Sequence, residues 1–83
     1  MKYFVEFVVR NLVEHADEVD VAEISSGRAT KLQVRVNPQD VGRVIGKNGR
    51  TISSIRGLLN AAAMKSKQRV ILELVEEAAV RDA

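Results

Sequence analysis

This chain contains no cysteine and no tryptophan, and it has one proline, one histidine, one tyrosine and two phenylalanines. The missing thiols exclude disulfide bonds and thiolate metal sites, and a single histidine cannot form a usual zinc site. No cofactor or metal is therefore expected. No nucleophile–base pair and no pair of carboxylates stands out in the sequence, which argues against an enzyme.

Long apolar runs are also missing. Near the start of the chain the apolar residues are interrupted by Glu6, Arg10 and Asn11, and no small-residue cleavage pattern follows them. Neither a signal peptide nor a membrane span is predicted, and a cytoplasmic protein is expected. A length of 83 residues, with 46% hydrophobic and 29% charged residues, predicts one small folded domain over residues 1–76 and a short tail over 77–83.

Acidic residues are almost absent from the middle of the chain. Residues 28–69 contain ten lysines or arginines and a single acid, Asp40, for a net charge of +9, whereas the flanks carry three bases and ten acids, for −7. Pairing within the central segment cannot neutralise it. The pattern therefore predicts a positive surface that binds an anionic partner. The alternative is a charged helix face that is exposed to solvent and binds nothing.

A Gly-x-x-Gly turn occupies residues 46–49, directly after Val44 and Ile45 and before a helical pattern. Glycine at both ends allows left-handed backbone dihedrals and a close approach to a ligand. The first N–H groups of the following helix lack partners within that helix and can donate to an anion. Because Lys47 and Arg50 add positive charge, the turn suits binding of a phosphate backbone.

The first segment has a strand-like composition but a helical period. Its charged residues Lys2, Glu6, Arg10 and Glu14 recur every four positions, which predicts one solvent-facing stripe of a helix. The remaining face is wide and apolar, with two rows: Phe4, Val8 and Leu12, and Val5, Val9 and Val13. His15 is expected near the end of this helix, where an imidazolium would interact favourably with the helix dipole.

The later segments predict two strands, two helices and a last strand. Val19 and Val21 indicate the first strand, and a second has the alternating Leu32, Val34 and Val36. A short helix is expected from Pro38, with Asp40 in its first turn. A longer helix should end near residues 65–67, before a strand over 70–75, and residues 76–83 are expected to fray or form a short helix. The buried face of the longer helix is predicted to comprise Ile52, Ile55, Leu59 and Ala62.

This element order, helix–strand–strand–helix–helix–strand, predicts an α+β domain. Its three-stranded mixed sheet would be covered on one face by three helices, with the last two strands parallel if adjacent. The order and the segment 40–52, continuing through Ile55 and Arg56, resemble a type II KH domain over almost the whole chain. A free-standing domain of this size is similar to the KhpA family of small bacterial RNA-binding proteins.

The resemblance implies binding of single-stranded RNA or DNA, in which the turn clamps about four backbone nucleotides while bases lie on an apolar groove. The turn residues implied to hold the backbone are Gly46, Lys47, Asn48 and Gly49. Residues implied to line the groove or its floor are Val41, Val44, Ile45 and Ile52. Arg43, Arg50 and Arg56 are candidates for phosphate or base contacts. The aromatic residues all lie far from the turn in sequence, so weak affinity per domain and modest sequence preference are expected.

The family resemblance also implies an RNA chaperone or post-transcriptional regulator, a larger KH-containing partner protein and a link to control of cell elongation and division. Residues of the long helix suggest self-association as well. Gly57, Leu58 and Ala61 form a second stripe beside its buried face, and an interior helical glycine costs about 1 kcal/mol relative to alanine. A homodimer or heterodimer through this stripe is one interpretation; packing of Leu58 under the first helix is the other.

Two further functions remain open from the sequence. A helix-turn-helix DNA binder also places two helices around a turn, although the flanking strands and the two turn glycines favour a KH domain. An adaptor that mainly binds protein, with nucleic acid secondary, is the other alternative. A nucleotide-binding P-loop is excluded, because Gly42 and Gly46 are too close for that motif.

Overall fold

The computed structural model describes residues 1–75, so the predictions for the tail over 77–83 and for residues 76–83 lie outside the described residues. The helices and strands, in chain order, are α1 (Lys2–Arg10), β1 (Asp20–Ser26), β2 (Ala29–Arg35), α2 (Val41–Ile45), α3 (Arg50–Lys65) and β3 (Arg69–Leu74). Short 3₁₀ turns cover Ala16–Glu18, Pro38–Asp40 and Lys47–Gly49. This order confirms the predicted α+β architecture. No helix within residues 1–75 is both long and apolar enough to cross a membrane.

The three strands form one mixed sheet in the order β1-β2-β3. β1 and β2 pair antiparallel through a tight turn at Gly27, whose φ is +61°. β2 and β3 pair parallel, with Leu32 opposite Leu72. The parallel direction is possible because α2 and α3, which lie between these strands in the chain, return it to the end of the sheet where β2 begins. The prediction of parallel final strands is confirmed.

The hydrophobic core lies between one face of the sheet and the helices. β2 contributes Leu32 and Val34, and α1 contributes Val5 and Val9, all almost completely buried. The side chains of α3 that enter this core are Ile52, Ile55, Leu59 and Ala63. The prediction of Ala62 in this row was wrong: Ala62 is exposed, because the buried stripe continues four residues beyond Leu59.

α1 is shorter than its charge pattern suggested. It ends at Arg10, where the side chain of Asn11 donates to the carbonyl oxygen of Phe7 at 2.7 Å. Glu14 therefore lies beyond the charged stripe, and the prediction of His15 at the helix end was wrong. The two apolar rows of this segment differ in burial. Val5 and Val9 are buried, whereas Phe4 of the other row is 44% exposed. Tyr3 and Phe7, which belong to neither row, are 79% and 67% exposed.

Candidate nucleic-acid interface

The turn at residues 46–49 has the left-handed backbone that its glycines predict. Gly46 has φ 78° and ψ 173°, and Asn48 and Gly49 follow with φ values of 57° and 73°. A Cβ atom at position 46 would also collide with the side chain of Thr51. Gly46 is therefore required both by conformation and by space, whereas Gly49 is required by conformation alone.

The positive end of α3 opens directly onto this turn. α3 begins at Arg50 without a side chain that caps its free N–H groups. Lys47, Asn48 and Arg50 are exposed, and within residues 1–75 neither cation forms an ion pair. Free N–H groups, a helix dipole and two available cations form a favourable site for an anion.

A groove runs from the turn along the space between α3 and β3. It consists of two adjoining hollows of about 410 and 380 Å³. The first is lined by Ile45, Ile52, Arg56, Ile71, Leu72, Glu73 and Leu74. The second is lined by Arg56, Leu59, Asn60, Arg69, Val70, Ile71 and Leu72. Ile45 lies next to Gly46, so the groove and the turn form one continuous surface.

The structure brings together part of the predicted groove. Ile45, Ile52 and Arg56 line it. Val44 is only 1% exposed and belongs to the core, and Val41 is half-buried outside the two hollows, so contact of either with a base stays a prediction. Sequence reasoning missed the contribution of β3. The signal was available, since a strand reached through a helical crossover must pack beside that helix.

A buried carboxylate holds the start of α2. Asp40 is 1% exposed and accepts hydrogen bonds from the backbone N–H groups of Glu14 and His15, at 3.2 and 3.0 Å. The Nδ1 atom of His15 lies 2.9 Å from the same carboxylate. The loop after α1 is thereby tied to the segment that leads into the turn, a contact between residues 25 positions apart that no local pattern predicts.

Arg43 belongs to the same cluster. Its Nη2 atom lies 2.6 Å from Oε1 of Glu14, and its Nε atom lies 3.6 Å from Oδ1 of Asp40. The guanidinium thus has a structural role that sequence analysis did not anticipate, and its contact with RNA stays a prediction. Lys31 also pairs with an acid of the flanks, Glu73, at 3.9 Å. The flanking acids therefore neutralise part of the central charge and leave the cations of the turn available.

The hydrogen bond to Asp40 raises the pKa of His15 above its ordinary value of 6.5, although desolvation opposes the shift. Burial on its own would raise the pKa of Asp40. Hydrogen bonds from the side chain and backbone of His15 and from the backbone of Glu14 outweigh that effect, so the pKa of Asp40 falls below 3.8. Both shifts favour the charged forms, and the pair is therefore strongest when His15 is protonated.

Comparison with known proteins agrees with this geometry. The model of the "KhpA/KhpB, KH domain" family matches residues 2–74. The chain belongs to this KH family. It is 42% identical over 76 residues to the RNA-binding protein KhpA of Halalkalibacterium halodurans, an alignment that covers 92% of this chain and 100% of the relative.

Other relatives carry the same name. The RNA-binding protein KhpA of Clostridium acetobutylicum is 40% identical over 75 residues, which covers 90% of this chain and all of the relative. That of Leifsonia xyli is 46% identical over 70 residues, with 84% of this chain and 90% of the relative covered. No solved structure matches the chain significantly.

The pair of His15 and Asp40 predicts a pH-dependent stability. His15→Asn retains a neutral donor for Asp40 but cannot become charged. The folded state raises the pKa of His15, so wild type should have a higher free energy of unfolding than the variant at low pH. This difference should be fully present below pH 6.5 and should disappear as the pH rises through the folded-state pKa. Urea unfolding of both proteins at about pH 5 and about pH 9 measures the difference. A difference that does not change between these pH values would contradict the prediction.

Proposed function

We propose that this protein binds single-stranded RNA, with the turn at residues 46–49 on the phosphate backbone and bases in the groove between α3 and β3. The observation that carries the proposal is the continuity of an anion-binding turn with an apolar groove. Lys47 and Arg50 lie at the turn without acidic partners within the described residues, and Ile45 connects the turn to the groove. The names of the KhpA relatives support RNA as the ligand.

A single strand suits the groove better than a duplex does. The hollow nearest the turn is lined by aliphatic side chains, together with Arg56 and Glu73, next to an edge strand. Its aliphatic part suits the face of one unstacked base. A helix-turn-helix protein would present polar side chains of its second helix to the major groove. The exposed part of α3 contains Arg50, Ser53 and Ser54 near its start but Gly57, Leu58, Ala61 and Met64 farther along. The small and apolar residues of this second part argue against duplex DNA as the main ligand.

The proposed cellular role depends on the weak affinity and modest sequence preference that the sequence predicts. A small protein that holds several RNAs briefly would act as an RNA chaperone or as a post-transcriptional regulator. The family resemblance adds a link to control of cell elongation and division. Crosslinking of RNA to the protein in cells, followed by sequencing of the bound fragments, identifies the targets and tests this part of the proposal.

A role in protein association is a second part of the proposal. Leu58 is 60% exposed, which argues against the alternative that it packs under α1. Met64, farther along α3, is 76% exposed. Gly57, Leu58 and Ala61 form an exposed stripe on α3 that could meet a second copy or a larger KH protein. Two linked domains would raise the effective concentration of the second site for a long RNA, which increases avidity without new contacts.

Replacement of both Lys47 and Asn48 by Asp should abolish RNA binding, because the new carboxylates repel phosphates. The fold should persist, since both side chains are exposed and Asp tolerates the left-handed conformation of position 48. Fluorescence anisotropy with a short single-stranded RNA measures binding, and a thermal melt checks folding.

The matched control is the double replacement of Lys67 and Gln68 by Asp. It introduces the same change in charge at another exposed pair. One residue of each pair has a positive φ: Asn48 at 57° in the turn and Lys67 at 55° in the control. This pair follows the far end of α3, and a helix of 16 residues is about 24 Å long. The control should bind RNA much better than the turn variant. Equal loss in both variants would indicate a general charge effect and not a clamp at the turn.

Arg50→Gln should weaken binding to all RNA sequences and flatten the slope of log affinity against log salt concentration. On a single strand, the slope should change by about 0.7 for each phosphate that the variant no longer neutralises. Arg10→Gln, on the exposed end of α1, removes the same charge outside the turn and groove and should leave the slope unchanged. An unaltered slope in Arg50→Gln would mean that Arg50 does not contact a phosphate.

Leu58→Glu should produce a monomer in analytical ultracentrifugation, because it places a charge in the centre of the proposed stripe. It should remain folded by circular dichroism and lose more affinity for long RNA than for a tetranucleotide. Ile24→Glu, at an exposed aliphatic residue of β1, is the control and should leave the mass unchanged. A wild type that is monomeric at high concentration and copurifies with no partner would refute the interface.

A further inference from the structure

The side chain of Arg56 crosses the groove at the point where its two hollows meet. It projects from α3 and contributes to the lining of both hollows. Its Nε–H and Nη2–H groups both donate to the carbonyl oxygen of Leu72, at 3.3 and 3.2 Å. Within residues 1–75 no carboxylate pairs with it. The guanidinium is therefore held by a neutral backbone group, in a groove whose other polar lining residues are Asn60, Arg69 and Glu73.

The carbonyl of Leu72 is available because β3 is an edge strand of the described sheet. The N–H groups of Arg69 and Val75 donate to carbonyl oxygens of the segment containing β2. Since backbone groups alternate in direction along a strand, those of Leu72 point to the open edge. A side chain anchored there has given up much of its rotamer freedom before any ligand arrives, which lowers the entropic cost of a contact with that ligand.

The anchor leaves part of the guanidinium free. Arginine has five N–H donors, and Leu72 uses one on Nε and one on Nη2. Three donors remain, including one on each of the two Nη atoms, and these two are parallel. The free edge can therefore donate two hydrogen bonds side by side to a planar partner, but it can accept none.

We propose that Arg56 sets the base preference of the groove by selecting a base with two neighbouring acceptors, guanine or cytosine, over adenine and uracil. Guanine presents O6 and N7 to such a donor pair. Cytosine presents O2 and N3 on its Watson–Crick edge, which is accessible in a single strand. Adenine places a donor beside each of its acceptors on these edges, and the two carbonyls of uracil flank an N–H. This inference rests on the proposed binding of RNA.

The role differs from that of the cations at the turn. Lys47 and Arg50 lie beside the N-terminus of α3, where phosphates are expected, whereas Arg56 lies more than a helical turn farther along α3 and is anchored to β3. Removal of a phosphate contact weakens binding to all sequences equally, but removal of a bidentate base contact abolishes discrimination. The two roles can therefore be separated by experiment.

The test uses short uridine-rich RNAs that differ only at one central nucleotide, bound to the whole protein and measured by fluorescence anisotropy. Wild type should bind the RNA with guanine or cytosine about tenfold more tightly than those with adenine or uracil. Arg56→Lys retains the charge but loses the planar donor pair, so it should keep the salt dependence and lose the preference. Arg50→Lys is the matched control and should keep the preference.

Replacement of guanine by 7-deazaguanine removes the N7 acceptor and distinguishes the two candidate bases. If the RNA with guanine binds most tightly and its preference is lost with this analogue, the selected base is guanine. If the RNA with cytosine binds more tightly than the RNA with guanine, the selected base is cytosine. An Arg56→Lys protein that melts like wild type and keeps its preference would overturn the inference, as would a wild type that prefers adenine or uracil or treats all four RNAs alike. In those cases RNA binding itself would stand. A wild type that binds none of the RNAs would instead refute the proposed function.

Discussion

The buried carboxylate of Asp40 joins parts of the chain that are far apart in sequence. A carboxylate loses its hydration when it is buried and needs hydrogen bonds in compensation. Here they come from the backbone and the ring of His15 and from the backbone of Glu14. Since α2 starts immediately after Asp40 and runs directly into Gly46, this contact sets the position of the turn relative to α1 and the core.

The geometry of the turn then determines where the groove begins. Gly46 has a positive φ and lies against Thr51, so the end of α2 and the start of α3 are closely apposed. That close approach places Ile45 and Ile52 on the same hollow beside β3. A larger residue at position 46 would therefore disturb the apolar groove as well as the backbone of the clamp.

Local sequence patterns were sufficient to predict the order of these elements, most directly in α1 and β2, where residue types repeat or alternate cleanly. The spacing of four in α1 outweighed its strand-like composition, and Leu32 and Val34 marked the buried face of β2. The errors concern tertiary contacts. His15 pairs with Asp40 instead of ending a helix, and Arg43 binds Glu14. Neither contact leaves a sequence period, since each joins residues more than twenty positions apart.

Tertiary contacts also explain why the cations of residues 28–69 cannot be treated as one surface. These cations are concentrated in one segment of the sequence, but the fold places them in different surroundings. Arg43 pairs with Glu14 in the loop after α1 and with Asp40 at the start of α2. Arg56 is anchored to the edge of β3, and Arg50 has no ion pair within residues 1–75. These cations should therefore contribute different amounts to the binding free energy of an anionic ligand, because a cation that is already paired must first lose its partner. Under the proposed function, long-range attraction for RNA would arise from the net field of the segment, whereas close contacts with phosphate would depend on the few cations that the fold leaves unpaired beside the turn.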